Sequence, residues 1–267
     1  SCVFLQFDGM DNKIHKYLRG SELLQVKLKT VENCAKTGLG VVLVPTLIPG
    51  INTGNIGEII RFALANMPHV RGVHFQPISY FGRFPGSSMP RITIPQIIRE
   101  IESQTDGAMK SENFIPPGGE NPYCSFHGNF ILMPDGVLKP WNQYQDTDCC
   151  SKPVIADGSR KARLFVAKQW AAPECCVTDK SREMKKNSSR TGKTGINTDS
   201  IDIFLERVKT HTICISGMAF QDAWTLELDR LKECIIHVVS RDGRLIPFCA
   251  YNLTSVNGNS LYRGNQF

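Results

Sequence analysis

The 267-residue sequence predicts an α/β protein that continues into a smaller, cysteine-rich α+β region, and three observations carry that reading. Over the first 105 residues short apolar, β-branched runs alternate three times with stretches of helical periodicity. The connections between them are short, which implies parallel strands with helices laid against the sheet. Beyond about residue 106 the alternation stops, and eight of the ten cysteines follow residue 120. Two regions result, 1–105 and 106–267.

VFLQF (Val3 to Phe7) is an apolar, β-prone run ended by the turn signal Asp8-Gly9. Ser21 then caps a helix whose apolar positions Leu24, Leu28, Val31 and Ala35 recur at spacings of three and four, with Gly38 as its stop. Cys34 on that helix reads as a small core residue. GVVLVPTLI (Gly40 to Ile48) is the continuous β-branched run of a strand covered on both faces, followed by a helix over Ile56 to Ala65. VRGVHFQPIS (Val70 to Ser79) is a third strand, and a Gly/Pro/Ser-rich loop leads to a helix near Thr93 to Ser103.

In the second region two phrases echo each other: CSFHGNFILMPDGVLKPW (Cys124 to Trp141) and CIIHVVSRDGRLIPFC (Cys234 to Cys249). Each holds a cysteine, a β-prone run and an Asp-Gly pair suited to a tight turn, Asp135-Gly136 and Asp242-Gly243. The second hairpin has a cysteine at each outer end, so both thiols meet at one edge. They read as a disulfide, as packed core residues or as ligands of one metal.

Composition narrows this choice. A hydrophobic content of 41% is that of a folded globular chain, and no apolar run is long enough to span a membrane. The N-terminal residues lack the pattern of a signal peptide, so the expected location is cytoplasmic. Reducing cytosol disfavours disulfides and leaves thiols free for metals. The candidate ligands are Cys124, Cys149, Cys150, Cys214, Cys234 and Cys249, with one thiol of an adjacent Cys-Cys pair ligating because neighbouring side chains diverge in an extended chain. His127 and His237 stand three residues from Cys124 and Cys234, a spacing that in a strand sends the two side chains to opposite faces. His74, inside an apolar strand, reads as a hydrogen-bonded core residue. Much of the net charge of +6 lies in KSREMKKNSSRTGK (Lys180 to Lys193), within a mobile linker of about 177–197. No aromatic residue interleaves with these charges, so a nucleic-acid partner is not expected.

VFLQFDGMDNKIHKYLRG, VVLVPTLIPGINTGNIGEII and VRGVHFQPISYFGR resemble the fourth, fifth and sixth strands of the radical S-adenosylmethionine (radical SAM) barrel. The cysteine hairpins resemble the auxiliary-cluster (SPASM or twitch) extensions of that family. CSFHGNFILMPDG, SGMAFQDAWTLELDRL and DGRLIPFCAYNLTS are most similar to its tetraether lipid synthase-like group. The resemblance implies the second half of a partial (β/α)6 barrel, S-adenosylmethionine as cofactor in the full-length enzyme and an auxiliary [4Fe–4S] cluster. It implies a 5′-deoxyadenosyl radical acting on an unactivated carbon, a lipid or other hydrocarbon-bearing substrate, and an electron donor protein. Carried over by position, Gln6, Asp8, Thr46, Asn52, Gln76 and Ser79 are candidates for contacting the cofactor at strand C-terminal ends, a turn role for Asp8 and core roles for Gln76 and Ser79 being the alternatives.

One departure matters. The family signature C-x-x-x-C-x-x-C occurs nowhere in this sequence. The expectation is therefore an enzyme fragment, inactive alone, whose partner is the missing N-terminal half of the barrel. The alternative is a non-catalytic module binding zinc or iron for structure.

Overall fold

Alternation along the first strand shows how the sheet is used. In β1 (Cys2–Gln6) successive side chains point to opposite faces, so Leu5 enters the core while Phe4, on the other face, stays 54% exposed. The computed structural model describes residues 1–82, 89–117, 120–141 and 198–263, together with 160 and 164.

α1 (Asn12–Arg19) begins at Asp11, whose side chain accepts from the Lys13 N–H at 2.8 Å, and ends at Gly20 with φ 77°. α2 (Leu24–Lys36) covers the expected helix, but Ser21 does not cap it. The Leu24 N–H donates instead to Asn12 Oδ1 at 3.0 Å, so a residue of the preceding helix does the capping. β2 (Gly40–Val44) pairs parallel with β1, from Cys2 opposite Gly40 to Gln6 opposite Val44. β3 (Thr46–Leu47) continues the expected strand after Pro45, and α3 (Ile56–Ala65) falls on the expected residues. β4 (Val70–Pro77) lies parallel to both β2 and β3. α4 (Ile94–Gln104) starts where Gln96 Oε1 accepts from the Thr93 N–H at 2.8 Å. The core joins Leu5, Phe7, Leu43 and Phe75 of the strands to Ile59, Ile60, Ile97 and Ile101 of the helices.

The later chain adds to this sheet. β5 (Ser125–Leu132) and β6 (Leu138–Pro140) form the first expected hairpin, with Gly136 at φ 83° in its turn. α5 (Thr198–Thr210) leads into β7 (Thr212–Met218), which runs parallel to β4 and antiparallel to β5. The strand order is β1-β2-β4-β7-β5-β6, with β3 beside β4. Residues after 106 thus extend the α/β sheet, which the loss of β/α alternation does not reveal, because His74 and its partner Ser216 lie 142 positions apart. The sheet is mainly parallel, and its polar face carries His74, Ser216 and His127 side by side on three adjacent strands. His74 Nδ1 and Ser216 Oγ are hydrogen-bonded at 2.9 Å, in keeping with a core role.

α6 (Leu228–Lys232) precedes a separate two-stranded hairpin of β8 (His237–Val239) and β9 (Leu245–Pro247), whose turn has Gly243 at φ 79°. α7 (Phe248–Tyr251) follows at once. Asp222 binds the segment after β7 to that after β4: its buried carboxylate accepts from the Tyr80 N–H at 3.2 Å and from Arg91 at 2.5 Å. No helix among the described residues is long and apolar enough to cross a membrane. The linker expected at about 177–197 lies outside the described residues.

Candidate functional site

Parallel strands present their C-terminal ends together, and at the ends of β1 and β2 the chain builds a polar network. Asp8, 1% exposed, accepts from Arg19 Nε at 2.8 Å and Nη2 at 3.0 Å. Its Oδ1 also accepts from the Thr46 N–H at 3.0 Å, while Thr46 Oγ1 accepts from Arg19 Nη2 at 3.1 Å. Asn52 Nδ2 donates to the carbonyls of Asp8 at 2.9 Å and Thr46 at 2.7 Å, and Gln6, with its amide oxygen turned inward, accepts from Arg19 Nε at 3.1 Å. Four sequence candidates, Gln6, Asp8, Thr46 and Asn52, therefore meet in one network. Gln76 lies beside it, directly across the β3–β4 pairing from Thr46. Ser79 is elsewhere: its hydroxyl donates to the Phe220 carbonyl at 2.7 Å and holds two loops together. Arg19, which organises the network, escaped the sequence reading because a basic residue in a last helical turn looks like ordinary dipole complementation.

A second site lies where the two hairpins meet. Pairing of His237 with Pro247 brings Cys234, three residues before β8 begins, and Cys249, two residues after β9 ends, to the same open end. Cys124, just before β5, reaches the same place because its carbonyl accepts from the Ala219 N–H at 2.8 Å. These three thiols line one cleft with Glu120 and Phe248. The rings of Phe81, Phe220 and Phe248 pack around its apolar side with centroids 4.9–6.1 Å apart.

The three are free thiols rather than disulfides. Burial pushes the Cys249 thiol up, as do its neighbours Cys234 and Cys124, against the Gln221 N–H and Arg230, which favour the thiolate. The Gln221 N–H reaches Cys249 Sγ at 3.2 Å, Arg230 Nη2 reaches Cys124 Sγ at 3.5 Å, and Cys234 donates to the Ile236 carbonyl at 3.2 Å. Among the described residues no three His, Cys, Asp or Glu side chains stand close enough to hold a single metal ion. A tetrahedral zinc would need sulfurs about 3.8 Å apart, given Zn–S bonds of about 2.3 Å. An iron–sulfur cluster needs no such closeness, since each thiolate binds a different iron, and N–H donors to sulfur suit it. The N–H donors at Cys249 and Cys124 are of the kind that stabilise sulfur ligands.

Cys214, expected in the ligand set, stands apart from this cleft. It sits within β7, buried, opposite Gly72 on one side and Asn129 on the other. The expectation overlooked that a strand residue four positions before the strand end cannot reach a site beyond that end. Cys149 and Cys150 lie outside the described residues. Neither His127 nor His237 lines the cleft.

No family model matches the chain. It is similar to 7,8-dihydro-6-hydroxymethylpterin dimethyltransferase of Methanocaldococcus jannaschii, with 32% identity over 290 residues covering 94% of this chain and 56% of the relative. The chain spans about half the length of the curated relative it matches.

Proposed function

We propose that this chain is part of a radical SAM iron–sulfur enzyme, contributing later barrel strands and an auxiliary [4Fe–4S] centre. The observation that carries the reading is the convergence of Cys124, Cys234 and Cys249 on one cleft beside a mainly parallel α/β sheet. The similarity to the pterin dimethyltransferase supports the radical SAM family as a whole. In this reading Cys149 or Cys150 supplies a fourth thiolate, and an electron donor protein and the N-terminal half of the barrel are the partners.

When bound in the complete enzyme, S-adenosylmethionine and its reducing cluster supply a 5′-deoxyadenosyl radical. The residues of this chain have the tasks of positioning and of excluding water. Gln6 and Thr46, held by Arg19, offer a polar end to the adenosine part of the cofactor, with Gln76 next to them, while the buried Asp8 and Asn52 fix their positions from behind. The phenylalanines keep the thiolate cleft dry on one side.

For the substrate, the relative's name favours methyl transfer to a pterin-like heterocycle over the lipid-like substrate implied by the sequence resemblance.

Anaerobic reconstitution of the chain with ferrous iron and sulfide tests the cluster. A brown protein with broad iron–sulfur absorbance is expected. A colourless protein that takes zinc in preference to iron would replace this reading with that of a structural metal module.

A further inference from the structure

Arg230, on α6, reaches into the thiol cleft from outside the two hairpins. Its Nη2 donates to the Ala219 carbonyl at 3.0 Å and to Cys124 Sγ at 3.5 Å. Its Nε is buried and has no hydrogen-bond partner among the described residues. No carboxylate among them forms an ion pair with it either. A half-buried guanidinium held only by a carbonyl and a sulfur, with its Nε unpartnered, is poorly compensated, because burial of charge is costly without a counter-charge. The same position becomes favourable beside metal-bound thiolate, since anionic sulfur accepts charge-assisted hydrogen bonds.

We infer that Arg230 is the counter-cation of the thiolate cluster, a positioning residue that sets the cluster's reduction potential. This rests on the cluster proposed above. A [4Fe–4S] cluster gains one negative charge on reduction, so a fixed cation beside one of its thiolates stabilises the reduced form and raises the potential. The three cysteines define where the cluster binds, and Arg230 defines how readily it accepts an electron.

The test is an EPR-monitored redox titration of the anaerobically reconstituted 267-residue chain, with iron content measured in parallel. Arg230→Gln removes the charge and, being shorter, ends before Cys124 Sγ, and should lower the reduced-to-oxidised ratio at a fixed potential about tenfold, equivalent to 59 mV for one electron. Arg230→Lys should return the potential most of the way to wild type. A wild-type chain that holds a cluster whose potential ignores Arg230→Gln overturns the role of Arg230 while leaving the cluster intact. A wild-type chain that takes up no iron overturns the cluster itself. If the Gln variant loses iron, recovery in the Lys variant supports the charge, and loss in both overturns it.

Discussion

Asp8 and Arg19 form a two-pronged ion pair, Nε to Oδ2 at 2.8 Å and Nη2 to Oδ1 at 3.0 Å, that joins the end of β1 to the last turn of α1. The carboxylate is buried and the guanidinium partly exposed, so the two partners are unequal. Asp8 also accepts from the backbone of Thr46, which ties the end of β2 into the same unit.

Removing the guanidinium leaves that carboxylate buried without its counter-charge. Arg19→Ala should therefore destabilise the chain by about 2–3 kcal/mol, below the cost of breaking a fully buried pair because Arg19 is part-solvated. Arg19→Lys should recover only part of this, as an ammonium cannot span both carboxylate oxygens and Thr46 in one plane. Urea unfolding checks both, and a loss under 0.5 kcal/mol for the alanine variant, on the scale of an ordinary surface substitution, would mean that solvent replaces the pair.

Burial holds His74 neutral, with its pKa lowered to about 4. The unfolded chain, titrating near 6.5, binds more protons between these values. Stability contributed by neutral His74 is therefore complete above about pH 6.5 and is lost as pH falls toward 4, by at most about 3 kcal/mol. His127 and His211 are shifted in the same direction, chiefly by burial, and deepen the effect. Urea midpoints at pH 7.5 and 4.5 should differ less in His74→Gln than in wild type; equal differences would remove His74 from the account.

Gly72 and Gly217 allow β4 and β7 to approach. A Cβ on Gly72 would lie 2.8 Å from the Cys214 carbonyl, and one on Gly217 would lie 2.6 Å from the Phe126 ring and 2.8 Å from the Phe75 carbonyl. Alanine at either should cost about 2–3 kcal/mol by forcing backbone apart in the middle of the sheet. Thermal denaturation reads this directly, and wild-type stability in both variants would contradict the β4–β7 register.

Serine at Cys124, Cys234 or Cys249 should each remove more than half of the iron bound after reconstitution, whereas Cys214→Ser should leave iron unchanged. Iron per chain by colorimetric assay decides between them. Retention in all three cleft variants would return these thiols to packing roles.

The chain alone, reconstituted and reduced with dithionite, should form no 5′-deoxyadenosine from S-adenosylmethionine, because no C-x-x-x-C-x-x-C thiols are present to hold the radical-generating cluster. Product above a protein-free control, measured by chromatography, would show that other cysteines do this work.

Local patterning in the sequence determined β1, β2 and β4, the helices α3 and α4, the parallel pairing of the first three long strands and both Asp-Gly hairpins. Those features depend on neighbours a few residues apart, through alternation, helical spacing and the positive φ of Gly136 and Gly243. The hairpin reading also sufficed to bring Cys234 and Cys249 together, since antiparallel pairing places both ends of a short hairpin side by side. Only the tertiary structure decided that β7 inserts between β4 and β5, that Cys124 joins the hairpin thiols while Cys214 is enclosed in the sheet, and that Asn12 caps α2 in place of Ser21. It alone placed Arg19 on Asp8 and Arg230 on Cys124, contacts separated by 11 and 106 positions. Such pairings leave no periodic trace, because the geometry that satisfies a buried charge is supplied by whichever distant segment the packed core brings alongside it.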